Sequence, residues 1–256
     1  MGETMKEKLY TIPLNDAVNA NDECPLCFSR REIENDQLDY VLGSCASYME
    51  SDMRDKTDEA GFCQKHFQDM FDFGNTLGNG WILKTHYLKV ISELENEFKN
   101  FSPNKLSFGD KLKGKKASNS LVDYINKRND SCFICREVDN IFQCYIDTFF
   151  YLYKNDSEFK EKIKNGKGFC LTHFGNLCEA ADVKLSADEQ KEFYSMMSNI
   201  MVENFKRMQE DVSWLVDKFN YQNHDKDWKN SKDAVQRGMQ KLKGGYPAEP
   251  KLKMNK

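Results

Sequence analysis

Long apolar segments are missing from this sequence of 256 residues. No uncharged stretch approaches the roughly 20 residues that a helix needs to cross a bilayer, and the first ten residues lack the apolar core of a signal peptide. These absences argue against a membrane-spanning or secreted protein, so we expect a cytoplasmic location and no membrane partner. In that reducing compartment, nine cysteines are better explained as metal ligands and core residues than as disulfides.

The alternation of apolar and polar residues that marks β-strands is also missing. Instead, apolar residues recur at intervals of three and four, the pattern of amphipathic helices. One long example ends near Phe101. Another begins at the predicted N-cap Ser186, which has Glu189 three residues later, and continues to Phe219. We therefore predict an all-α fold, a helical bundle built from two duplicated metal-binding helical units.

What the sequence does contain is one unusual motif twice. A Cys-x-x-Cys pair is followed by Gly-Phe-Cys-x-x-His-Phe in each copy. The first cysteines of the copies are 132−24 = 108 residues apart and the third cysteines 170−63 = 107 apart. Motif and internal spacing therefore recur together, as in a duplicated unit. The repeated positions are Cys24, Cys27, Cys63 and His66 in the first copy and Cys132, Cys135, Cys170 and His173 in the second.

Each copy offers three thiolates and one imidazole in two pairs, and each pair has two intervening residues. Residues with this spacing at the start of a helix point to one side, so each pair can bind one ion, and two pairs complete a tetrahedron. Soft thiolates with one imidazole favour zinc in a closed structural site, which predicts two zinc ions per chain. Iron–sulfur ligation is the alternative, and thiol–disulfide chemistry follows it.

The pairing of the ligands is open at this stage. We expect the two pairs of one copy to share an ion because this arrangement closes the shorter loops. The alternative is an exchange, in which the Cys-x-x-Cys pair of one copy meets the Cys-x-x-His pair of the other.

The chain divides on its composition into two repeats and two connecting or terminal segments. We predict a first metal-binding repeat at 1–101, a linker rich in lysine, glycine and serine at 102–118, a second metal-binding repeat at 119–220, and a basic C-terminal helix and tail at 221–256. The net charge is −4, yet residues 223–256 carry nine basic and four acidic side chains. An unknown protein partner is the favoured interpretation of this segment, and nucleic acid is the less favoured one.

Three finer expectations concern the helices themselves. The first long helix should run past Cys45 to about Met49, and the charged stretch 51–59 should interrupt the helical pattern. The cysteines outside the motifs should lie on apolar helix faces in the core; they are Cys45, Cys144 and Cys178. The C-terminal segment should form a docked helix that ends near Gly244, followed by a disordered tail from Tyr246, and the helix should bury an apolar stripe of Trp228, Ala234, Val235, Met239 and Leu242.

The chain also resembles a known family. The resemblance rests on the segment 5–15, on the Cys-Pro-Leu-Cys that follows it, on both Gly-Phe-Cys-x-x-His-Phe motifs, and on the stretches 214–221 and 227–234. Together these are similar to an uncharacterised bacterial family, a domain of unknown function found mainly in anaerobic Gram-positive bacteria. The resemblance covers nearly the whole chain and implies no activity.

Two functional hypotheses follow. The first is a non-enzymatic interaction or regulatory protein, stabilised by two structural zinc sites with three cysteines and one histidine each. The second is a metal- or redox-dependent enzyme or sensor in which one site is labile or holds an iron–sulfur cluster. The first is preferred because each quartet already fills a tetrahedron, whereas a catalytic zinc keeps one position open.

Overall fold

The computed structural model describes residues 9–102 and 119–245. Within these ranges every regular element is a helix and no strand occurs, so the all-α prediction is confirmed. The first half contains α1 (Thr11–Asn19), α2 (Pro25–Leu42), α3 (Ser51–Ala60), α4 (Gln64–Phe73) and α5 (Thr76–Asn100). The second half contains α6 (Ser120–Asn129), α7 (Phe133–Asn155), α8 (Ser157–Lys164), α9 (Leu171–Lys184), α10 (Ala187–Asp217) and α11 (Ala234–Lys243).

The order of helices in the first half recurs in the second. A short helix comes first, and a long helix begins inside the Cys-x-x-Cys pair in α2 and α7. A helix then begins inside the Cys-x-x-His pair in α4 and α9, and the longest helix of each half, α5 or α10, follows it. The predicted N-cap of α10 is correct, since Ser186 and Glu189 form a reciprocal capping box.

The described residues fall into two compact units, and each unit combines segments from both halves of the chain. Among the described residues, the first unit comprises 9–33 and 139–245, and the second comprises 34–102 and 119–138. Helices α2 and α7 each contribute residues to both units. The predicted linker 102–118 lies, apart from its first residue, outside the described residues.

The first unit is built around an aromatic cluster. The rings of Phe159 and Phe169 lie edge-on to that of Phe149, with centroids 5.6 and 5.7 Å away, and Phe150 contacts Phe193. All five side chains are at most 2% exposed. Because Phe169 directly precedes Cys170, this cluster fixes the start of α9.

The second unit is organised around the junction of α4 and α5. Met70 and Phe73 of α4 and Ile82 of α5 are at most 3% exposed. The Asn75 side chain accepts a hydrogen bond from the Gly78 amide and donates one to the Leu42 carbonyl, which joins the N-terminus of α5 to the end of α2.

Two local predictions fail in this unit. Helix α2 ends at Leu42, and the following turn, in which Ala46 has a φ of 51°, leaves Cys45 exposed. The charged stretch 51–59 is helical rather than a break, because Met53, Thr57 and Ala60 recur at helical spacing on the buried side of α3.

The C-terminal helix α11 is formed and docked on α10 and α9, as predicted, but the predicted apolar stripe is buried only in part. Ala234 is buried and Trp228 is half-buried. Val235, Met239 and Leu242 are 44–56% exposed, whereas Gln240 and Lys241 are 1% exposed. The body offers carbonyls and the buried carboxylate of Glu23 to this helix, so polar side chains fill the contact. The predicted tail from Tyr246 lies outside the described residues.

Candidate metal centres

All four ligand pairs occupy the same two positions at the start of a helix. Cys63 and Cys170 are the N-cap residues of α4 and α9, and the paired histidine is the third residue of each helix. In the same way, the first cysteine of each Cys-x-x-Cys pair directly precedes α2 or α7, and the second is the third residue of that helix. N-cap and third-residue side chains lie on one side of the first turn, and the positive end of the helix dipole favours thiolates there.

The glycine in each Gly-Phe-Cys motif has a backbone conformation that other residues rarely adopt. Gly61 has a φ of 64° and Gly168 a φ of 70°. In the second unit the Gly61 carbonyl accepts a hydrogen bond of 2.8 Å from the amide of Phe133, at the start of α7. This bond places the Cys-x-x-His turn of the first copy beside the Cys-x-x-Cys turn of the second.

The structure groups the eight ligand residues in exchanged pairs. One group contains Cys24, Cys27, Cys170 and His173, in the first unit, and the other contains Cys63, His66, Cys132 and Cys135, in the second. We call them site 1 and site 2. The prediction that each copy supplies a whole site is therefore wrong, although every predicted residue lies in one of the two groups.

The donor atoms of site 1 lie close together and away from solvent. The Nδ1 atom of His173 is 3.4 Å from the sulfurs of both Cys24 and Cys27, and the Cys27 sulfur is 3.7 Å from that of Cys170. None of the four residues is more than 4% exposed. The ring of His173 lies 5.0 Å from that of Phe142, which supports the imidazole from one side.

The donor atoms of site 2 have the same arrangement. The Nδ1 atom of His66 lies 3.2 to 3.4 Å from the sulfurs of Cys63, Cys132 and Cys135, and the sulfurs of Cys63 and Cys135 are 3.9 Å apart. Unlike site 1, this site is partly open, because Cys63 and Cys135 are half-buried.

A family of unknown function, DUF6062, matches residues 5–249. The chain belongs to this family. No curated protein and no solved structure matches the chain significantly. In the described part of this DUF6062 protein, no helix has both the length and the apolar character that a bilayer crossing requires. The family therefore supplies no activity for the two Cys/His groups, and their chemistry has to be argued from their own geometry.

Three crowded thiols cannot all be ionised without a compensating cation. In site 1, burial raises the pKa of Cys24, and the neighbouring Cys170 and Cys27 raise it further. Hydrogen bonds from Cys24 and Cys27 lower the pKa of Cys170, so the negative charge gathers there. A metal cation removes this conflict because it stabilises all three thiolates at once.

Site 2 shows the same conflict with its histidine taking part. Burial opposes protonation of His66, but its contacts with Cys132 and Glu34 raise its pKa to about 10. Burial would raise the pKa of Cys132, but the contact with His66 and the backbone hydrogen bonds of Cys135 and Cys63 together lower it to about 6. Burial and the charge of Cys132 raise the pKa of Cys135 to about 12.

The C-terminal helix closes site 1, a feature that the sequence motifs did not reveal. Gly244 ends α11 with a φ of 80°, and a Cβ placed there would lie 3.4 Å from the sulfur of Cys170. The same Cβ would lie 3.5 Å from the sulfur of Cys27. Thr172, between two ligands, donates a hydrogen bond to the carbonyl of Lys243. The sequence feature that could have indicated this closure is the pair Gly244 and Gly245 after a basic helix.

A buried ion network holds that helix in place. The Glu23 side chain is 1% exposed and accepts hydrogen bonds from Arg207 and Arg237, while the Lys241 ammonium donates to the backbone carbonyls of Glu23 and Lys167. Because Cys24 follows Glu23 directly, this network also positions the first ligand of site 1.

Site 2 has a supporting carboxylate in place of a covering helix. The Nε2 atom of His66 lies 2.8 Å from Glu34 Oε1, which leaves Nδ1 facing the three sulfurs. Burial would raise the pKa of Glu34, but hydrogen bonds from His66 and Lys65 lower it to about 2, so Glu34 is an anion. The sequence motifs did not single out Glu34 because it lies seven residues beyond Cys27, outside both pairs.

The cysteines outside the motifs stand apart from both groups. Cys45 is exposed, and Cys144 and Cys178 are half-buried on α7 and α9. The predicted core position on an apolar helix face is therefore wrong for Cys45 and only partly met by the other two.

Proposed function

We propose that this protein is a zinc-binding helical protein in which both Cys3His sites are structural and the function is interaction or regulation rather than catalysis. The proposal rests on one observation: helix starts that are distant in the sequence bring four donor atoms together twice, within 4.8 Å of one another. All four donors of each site come from the protein, which is typical of structural zinc and leaves no position for substrate.

The distances between donor atoms support a single tetrahedral ion. With zinc–sulfur bonds of about 2.3 Å and zinc–nitrogen bonds of about 2.0–2.1 Å, the edges of the tetrahedron are about 3.8 Å between sulfurs and about 3.6 Å between sulfur and nitrogen. The corresponding distances are 3.7 and 3.9 Å between sulfurs and 3.2 to 3.4 Å between sulfur and nitrogen. Iron–sulfur clusters distribute their ligands over several irons, so donor sets this compact favour one ion.

The surroundings of the ligands also favour a structural role. The carboxylate of Glu34 against the metal-facing His66 is the outer-shell arrangement that orients zinc-bound histidines. In site 1, the closing helix and the buried ligands exclude water. Each ion would hold together two helix starts, so zinc binding would contribute directly to the free energy of folding.

A second candidate is a redox sensor acting through site 2. The half-buried sulfurs of Cys63 and Cys135 are 3.9 Å apart. Hydrogen peroxide could oxidise the two thiolates to one disulfide, itself being reduced to two waters as it takes up two protons, and zinc would be released. Site 1 would resist this reaction because its sulfurs are buried.

Elemental analysis of protein purified without oxygen tests the proposal. We expect two zinc ions per chain, no iron and no colour, with nine reduced thiols. Less than one metal per chain with reduced thiols, or iron with inorganic sulfide, would contradict it. Repeating the analysis after peroxide treatment tests the second candidate, which predicts the loss of one zinc and two thiols.

Glu34→Ala is expected to weaken zinc binding at site 2 by about 10–100-fold, the usual cost of losing an outer-shell partner. Without the Glu34 carboxylate, the His66 ring would lose both its fixed orientation and the added basicity that the carboxylate gives it. Competition with a chromophoric chelator measures the affinity. Glu34→Gln, which keeps an acceptor, should lose less.

Glu32→Ala is the matched control, because Glu32 is an exposed carboxylate on the same helix. Equal affinities for the Glu34 and Glu32 variants would show that the carboxylate does not support the histidine.

A further inference from the structure

Helix α5 carries an apolar face that is largely uncovered in the described part of the chain. Residues on this face follow the alternating spacing of four and three that is typical of a coiled coil. We call them the α5 seam, which consists of Leu77, Trp81, Lys84, Leu88, Ile91, Glu95 and Phe98.

Most of the seam is exposed, whereas Trp81 is half-buried, with the guanidinium of Arg54 5.5 Å from the centre of its ring. Leu77, Leu88 and Phe98 are 63–65% exposed and Ile91 is 52% exposed. Tyr87, next to the seam, is 64% exposed. A row of large apolar side chains on one side of a helix is unusual on a monomer and marks an interaction surface.

Apart from the contact between Trp81 and Arg54, the contacts of α5 with its own unit lie on the other side of the helix. Ile82 is 1% exposed in the core, and Glu93 binds Tyr124 and Arg128 of α6. The seam is therefore distinct from the side of α5 that faces the core, and it can contact another helix.

The charged residues of the seam, Lys84 and Glu95, can pair with each other between two copies of α5 only when the copies run antiparallel. When two copies of α5 lie antiparallel about a two-fold axis between residues 89 and 90, Leu88 faces Ile91 of the other copy. In the same register Lys84 faces Glu95, and Trp81 faces Phe98. Each layer then pairs an a position of one helix with a d position of the other, as antiparallel coiled coils require. A parallel pair would instead place Lys84 against Lys84 and Glu95 against Glu95.

We propose that the α5 seam is the interface of a homodimer, in which α5 pairs antiparallel with α5 of a second copy. Both charged layers place a lysine against a glutamate only when two identical helices meet about a two-fold axis, which is an isologous contact. In this register the paired layers run from Trp81 to Phe98, about 27 Å at 1.5 Å per residue, and Leu77 lies beyond the last layer because α5 ends at Asn100. This inference does not depend on metal identity or on the role of the two Cys/His sites.

Sedimentation velocity of the full-length, metal-loaded protein tests the interface. We expect the wild type to be dimeric at micromolar concentration and Leu88→Glu to raise the dissociation constant at least tenfold. Val183→Glu is the matched control, since Val183 is 85% exposed on α9 and is not part of the seam, and this variant should remain dimeric. Circular dichroism and metal content establish that each variant is folded.

Charge exchange tests the register and direction. Lys84→Glu alone and Glu95→Lys alone should each weaken the dimer, whereas the double variant should restore it. An equimolar mixture of the two single variants should also form a heterodimer. A monomeric wild type, as expected if the seam binds a different protein, would overturn the proposal. So would a dimer that Leu88→Glu leaves intact, or one that the double variant fails to restore.

Discussion

Cys170→Ser is expected to reduce the metal content from two ions to one per chain and to lower the melting temperature markedly. Cys170 is 0% exposed and supplies one of the four donors of site 1. Structural zinc contributes about 10–16 kcal/mol to the folding of small zinc domains. If only about 4 kcal/mol of this is lost, the melting temperature of a chain of this size falls by about 8–16 °C, at about 2–4 °C per kcal/mol.

Cys63→Ser should act in the same direction through site 2, and Cys45→Ser is the control. Cys45 is an exposed cysteine in a turn, so its replacement should change the free energy of unfolding by less than about 0.5 kcal/mol. Differential scanning calorimetry with parallel metal analysis measures both effects. Equal melting temperatures for all three variants would contradict a structural role for the ions.

The helices and the ligand residues could be predicted from the sequence because both depend on local patterns. The three- and four-residue recurrence of apolar side chains predicts α5, α7 and α10, and the capping box predicts the start of α10. Helix α3 escaped prediction because its buried side includes Thr57 and Asp58, which do not read as apolar. The spacing of the ligand pairs likewise depends only on the first turn of a helix.

The pairing of the ligands could not be predicted because loop length distinguishes the alternatives only weakly. Within one copy, Cys27 and Cys63 are 63−27 = 36 residues apart, whereas in the structure Cys27 meets Cys170 across 170−27 = 143 residues. Two doublings of loop length cost about 1.2 kcal/mol. Tertiary contacts easily outweigh that difference, including the bond from Phe133 to the Gly61 carbonyl and the aromatic cluster at Phe169.

The buried face of α11 was predicted only in part, for a related reason. An apolar stripe predicts burial only when the surface opposite it is apolar. Here the body presents the carboxylate of Glu23 and two backbone carbonyls, so Lys241 is buried and Arg237 half-buried, while Met239 and Leu242 face solvent. No feature of the helix itself reveals what lies across from it.

The exchange of ligand pairs is tested most directly by the metal content of two double variants. Cys27→Ser with Cys170→Ser removes two donors from site 1 and none from site 2, so one tightly bound ion should remain. Cys27→Ser with Cys63→Ser damages both sites, so no ion should survive competition with a chelator. Pairing within each copy predicts the reverse. Retention of one ion by the second variant, together with loss of both by the first, would contradict the exchanged arrangement.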